Sequence, residues 1–123
     1  MAQVEVLAED QKRINKFGNL NSQVTALKLE LESLEKSKKD IEASKEELEL
    51  LEGMEDIIPY KLGGVFIELP FDDCVKQVDA DLEETENKCQ VLKQQIDIRL
   101  DEMKVLRTLL YEKFGRENIN LGD

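Results

Sequence analysis

A chain of 123 residues that is 37% charged and only 5% aromatic lacks the side chains for a thick globular core, so its core must be thin and linear. A formal net charge of −11 repels phosphate backbones, and the lysines alternate with glutamates along both halves, so no basic patch offsets it and no nucleic-acid role is expected. There is no histidine, no CxxC and no ligand cluster near Cys74 or Cys89, which leaves no chemistry for a metal site or Cys–His catalysis and no cofactor to expect.

The N-terminal MAQVEVLAED has neither the cationic nor the apolar part of a signal peptide, and no apolar run approaches a membrane span. A cytoplasmic, non-membrane protein is therefore expected. From about residue 9 to 52, Phe17, Leu20, Val24, Leu27, Leu31, Leu34, Ile41 and Leu48 alternate steps of three and four, with Lys38 and Lys45 at intervening core positions. This spacing predicts a helix with a coiled-coil seam. Gly18 sits inside the pattern, where a glycine weakens a helix by about 1 kcal/mol relative to alanine, so the first turns are expected to kink or fray.

Residues 56–69, DIIPYKLGGVFIEL, hold two short runs rich in β-branched and aromatic residues around Gly63 and Gly64. The pair of glycines permits positive φ and predicts a β-hairpin, with Pro59 unable to donate a ladder hydrogen bond. From about 70 to 115 a second frame runs through Phe71, Val75, Val78, Leu82, Thr85, Cys89, Leu92, Ile96, Arg99, Met103, Leu106 and Leu110. Pro70 suits its first turn, Asp72 and Asp73 place negative charge at its positive end, and Gly115 is a natural stop. The two cysteines, about 15 residues apart on this helix, lie roughly 22 Å from each other and cannot bridge within it; Cys89 reads as a small core hydrophobe.

The expected fold is mainly α: a single domain of two long helices, each about 60 to 65 Å, paired as an antiparallel coiled coil joined by one β-hairpin, with a short tail. Two heptad-compatible registers remain open. One sets Lys38 opposite Thr85 and Leu27 opposite Ile96, the other Lys45 opposite Thr85 and Leu34 opposite Ile96. In either, the polar core positions serve as register devices or snorkelling lysines.

A lone hairpin is marginal in water, and Ile57, Ile58, Tyr60, Val65, Phe66, Ile67 and Leu69 have little of their own chain to cover them. With two open edges and an apolar face, it is expected to join a sheet built by several chains, rather than pack down on the helix ends near Leu51 and Met54. At the opposite end Ile14 and Phe17 meet Leu109, Leu110, Tyr111 and Phe114, and the tail adds Ile119 and Leu121. That surface either binds a partner or is capped by the tail folding over Phe17. Acidic pairs such as Asp72–Asp73 and Glu83–Glu84 lie on helical stretches without pocket-forming sequence, so no enzyme is expected.

Three separated segments, EDQKRINKF at 9–17, IPYKLGGVFIEL at 58–69 and LYEKFGRENINL at 110–121, resemble prefoldin, and the single hairpin resembles its beta class. The resemblance spans nearly the whole chain. It implies a hexamer of two alpha-class and four beta-class subunits whose hairpins, here including Gly63 and Gly64, assemble into β-barrels carrying coiled-coil tentacles. It further implies a chaperone, independent of ATP, that captures unfolded clients such as actin and tubulin at the tentacle tips and passes them to the cytosolic group II chaperonin.

Overall fold

The computed structural model describes residues 7–54, 57–62, 65–115, 119 and 121, with the backbone alone for 57–62 and 65–67. Its elements in chain order are α1 (Ala8–Leu50), β1 (Ile57–Leu62), β2 (Val65–Pro70) and α2 (Phe71–Phe114). The two helices and one hairpin expected from the periodicity are therefore present. Among the described residues the sheet has two strands, antiparallel, in a register from Ile57 opposite Pro70 to Leu62 opposite Val65. The conformation of Gly63 and Gly64 and the side chains of Ile57, Ile58, Tyr60, Val65, Phe66 and Ile67 lie outside the described residues.

Both helix ends owe their position to local chemistry. After α1, Gly53 adopts φ +77° and the Met54 N–H donates to the Leu51 carbonyl at 2.9 Å, a turn that a side chain with a Cβ would strain. After α2, Gly115 adopts φ +74° and its N–H donates to the Tyr111 carbonyl at 2.8 Å, the single-bond left-handed cap. Pro70 is a correction to expectation: it is the last residue of β2, opposite Ile57, and α2 starts one residue later at Phe71.

The chain divides into two compact units, one made of Met1–Glu30 with Leu92–Asp123 and one of Leu31–Val91. In each, a length of α1 runs antiparallel to a length of α2. The first unit buries Phe17, Leu20 and Val24 with Leu92, Ile96, Met103, Leu106, Leu110 and Phe114. Its seam also takes Arg99, whose Nε donates to Gln23 Oε1 at 2.8 Å and whose Nη1 donates to the Gln95 carbonyl at 3.0 Å. A cation at a core position is tolerable here because both contacts satisfy it.

The second unit buries Leu48, Cys74 and Val78, with Ile41, Leu51, Leu69 and Phe71 packed against them. Lys38 reaches Glu86 at 3.6 Å and Lys45 reaches Asp79 at 3.0 Å, which selects the register that sets Lys38 beside Thr85. The alternative would carry Lys38 to Leu92 and Lys93, where no carboxylate waits. Thr85 is quiet in the seam because its hydroxyl donates to the Asp81 carbonyl one turn back, at 2.8 Å.

One seam position moves. Periodicity puts Val75 in the core, but Cys74 is the deeply buried residue, at 1% exposure, and Val75 is half-buried. Since β2 feeds directly into α2, the strand fixes the rotation at which the helix starts, and Phe71, Cys74 and Val78 face inward. Both cysteines are free and buried.

Candidate functional site

Two regions carry the candidate functional residues, and the hairpin root is the first. Leu69, the predicted assembly residue whose side chain is described, is half-buried against the Leu48–Cys74–Val78 cluster together with Leu51, whereas Met54 is exposed. Beside it lies an open groove of about 410 Å³ whose floor includes Leu48, Phe71, Val75 and Val78 and whose rim carries Lys45, Glu49, Glu52 and Lys76. Apolar floor and mixed-charge rim suit contact with protein rather than with a small charged ligand. Among the described residues no group of three His, Cys, Asp or Glu side chains is placed to hold a metal ion.

The second region is the open end, where α1 begins and α2 stops. Leu7 occupies the N-cap position: its carbonyl accepts from the Gln11 N–H at 3.0 Å and its own N–H donates to Asp10 Oδ2 at 3.0 Å. That is the reciprocal half of a capping box, with aspartate in place of the usual glutamate. The same carboxylate accepts a hydrogen bond from Lys113 in the last turn of α2, and Arg13 stands 3.7 Å from its other oxygen. Asp10 is 1% exposed, so these contacts are what make its burial tolerable.

The Lys113 hydrogen bond, followed by that from the Leu7 N–H, holds the Asp10 carboxyl below the usual aspartate range against the opposing effect of desolvation. The arrangement answers two helix ends together. Asp10 sits at the positive start of α1 and Lys113 at the negative finish of α2, and each charge favours its own helix terminus as well as its partner.

Around this pair the predicted tip residues divide. Phe17, Leu110 and Phe114 are buried; Ile14, Tyr111, Ile119 and Leu121 are half-buried; Leu109 is exposed. The Arg107 guanidinium lies 5.4 Å from the centre of the Phe17 ring, and its buried Nε has no hydrogen-bond partner among the described residues. Lys113 also stands 5.5 Å from the Phe114 ring. Leu7, Ile98 and Val105 add further exposed apolar surface.

Sequence reasoning missed Asp10, Lys113 and Arg107. Asp10 had a detectable signal, an acid at the third helical position of one helix with a base in the last turn of its antiparallel neighbour. The exposure of Ile98 and Val105, seven residues apart on α2, was equally visible as apolar residues outside the seam frame.

Known proteins resemble this chain in sequence and in fold. Residues 11–117 match the family model described as prefoldin subunit. The chain is 32% identical over 123 residues to "Probable prefoldin subunit 4" of Schizosaccharomyces pombe, covering 98% of this chain and 99% of that protein. It is 35% identical over 120 residues to "Prefoldin subunit 4" of Saccharomyces cerevisiae, covering 95% and 89%, and 30% identical over 118 residues to that of Homo sapiens, covering 96% and 87%. The fold matches the crystal structure of the prefoldin beta subunit from Thermococcus strain KS-1 with a TM-score of 0.75 at 12% identity, over 89% of this chain and 96% of that one. With two helices, one hairpin and a family match over most of its length, this chain belongs to the prefoldin subunit family.

Proposed function

We propose that the chain is a beta-class subunit of a heterohexameric, ATP-independent chaperone, assembled in the cytoplasm with two alpha-class and three further beta-class subunits. In this reading the hairpin residues Ile57, Ile58, Tyr60, Gly63, Gly64, Val65, Phe66, Ile67 and Leu69 form the assembly surface. The open end, with Ile14, Phe17, Leu109, Leu110, Tyr111, Phe114, Ile119 and Leu121, holds non-native chains such as actin and tubulin before they pass to the cytosolic group II chaperonin. Catalysis, a cofactor, nucleic acid and membrane have no part in it.

The observation that carries the reading is the near end-to-end likeness to relatives named prefoldin subunit 4, joined to a helix pair whose open end presents Leu7 and Leu109 to solvent. A two-stranded hairpin needs other strands to be stable, which supports assembly through it. No described helix is long and apolar enough to cross a membrane.

The test is native mass spectrometry of the protein purified from its source, followed by light scattering of a chemically unfolded client. A six-subunit complex that suppresses aggregation without ATP is expected. A chain that purifies alone, or a complex that leaves aggregation unchanged, overturns the reading.

A further inference from the structure

Three apolar residues of the open end are hidden within it. Phe17, Leu110 and Phe114 are 6%, 1% and 7% exposed, so capture by them requires an opening step. Two features of the first turns of α1 set how easily that step occurs. The Asp10–Lys113 pair ties the first turn of α1 to the last turn of α2. The Lys16–Glu102 pair, six residues further along α1, is half in solvent, at 59% and 39% side-chain exposure, where screening weakens it.

Gly18 is the second feature. It lies inside α1, directly after Phe17, with ordinary helical φ, and a Cβ built on it would meet no atom within 4 Å. Neither packing nor a turn requires glycine at this position. Its physical effect is to lower the helix-forming tendency at the point where the buried part of the seam begins.

We infer that Ala8–Phe17 is a lid, tied down by Asp10–Lys113 and hinged at Gly18, whose detachment from α2 uncovers Phe17, Leu110 and Phe114 for an apolar segment of a non-native protein. This inference rests on the proposed capture at the open end. Local openings of this kind occur well below the threshold for global unfolding. If only the open form binds, the apparent affinity falls in proportion to the open fraction, so any change in opening reappears as an equal change in capture.

The experiment uses the reconstituted complex, with a photo-reactive group at exposed Thr108 so that crosslinking to a labelled, chemically unfolded client reports on this subunit alone. Hydrogen exchange of the amides of residues 11–17 measures opening in the same samples. Asp10→Asn keeps an acceptor for the Leu7 N–H but removes the charge facing Lys113, and both exchange and crosslinking should rise together. Gly18→Ala touches nothing and should lower both by about fivefold, the difference in helix propensity. It also keeps the test decisive if Asp10→Asn fails to assemble.

Exchange that shifts while crosslinking stays constant overturns the lid, as does exchange unchanged by Gly18→Ala. Leu109→Ser with Ile119→Ser and Leu121→Ser separates the two readings. If that triple variant loses crosslinking and the lid variants do not alter it, capture at the open end stands and the lid falls. If none of the variants alters it, both fall.

Discussion

The Lys45 ammonium lies 3.0 Å from the Asp79 carboxylate on the facing helix, a contact made in one of the two heptad registers and absent from the other. Lys38 repeats it two turns earlier with Glu86. Hydrogen bonding to Asp79 first, and the charge of Asp79 second, hold the Lys45 pKa above its usual value. The sign follows: this stabilisation is complete below the ordinary lysine range and is lost as pH rises through the raised value, so the pair is intact at neutral pH.

Charge reversal tests the register directly. Lys38→Glu with Lys45→Glu should lower the melting temperature, and adding Glu86→Lys with Asp79→Lys should recover most of the loss, more completely at low salt than at high salt. Recovery by any other acidic pair on α2 would contradict the register. Thermal denaturation followed by circular dichroism is sufficient.

Asp10 predicts the acid side. Its carboxyl is held below the usual aspartate range, chiefly by Lys113, so its contribution is present above the unfolded value of about 3.9 and disappears as pH falls through the lower folded value. Hydrogen exchange near residue 13, corrected for intrinsic exchange, should accelerate as the pH drops through that window. In Asp10→Asn the rate, once corrected for intrinsic exchange, should be fast throughout and lose that dependence.

Burial separates two leucines, one inside the heptad frames and one outside them. Leu110 is 1% exposed and Leu29 is 64% exposed. Leu110→Ala should cost about 2 to 5 kcal/mol, and Leu29→Ala less than about 0.5 kcal/mol, in urea denaturation of the isolated subunit. Equal losses would place the open-end core elsewhere.

Assembly through the hairpin predicts the behaviour of Ile67→Asp, at the position paired with Tyr60 in the ladder. An unpaired carboxylate in an interface between chains costs several kcal/mol. The variant should elute free of the complex in size-exclusion chromatography while its far-ultraviolet circular dichroism stays helical. A complex that retains the variant would show that the hairpin does not carry assembly.

Periodicity determined the helices, their bounds to within a few residues and the buried or half-buried seam positions from Phe17 to Leu48 and from Val78 to Leu110, and the β-branched runs around two glycines determined the hairpin. All of these are properties of single segments, in which spacing of three and four along one strip is enough to place a side chain in the seam. The glycine stop at Gly115 was legible for the same reason, because only a residue free to take positive φ suits that cap. The tertiary structure decided what depends on two segments at once. Either register satisfied the heptads, and only the meeting of Lys38 with Glu86 and Lys45 with Asp79 chose between them. Cys74 displaced Val75 because the preceding strand sets the rotation of α2, which the pattern within the helix does not record. Asp10 is buried because Lys113, 103 residues away in sequence, is brought against it: whether a charge is buried depends on what the fold places beside it.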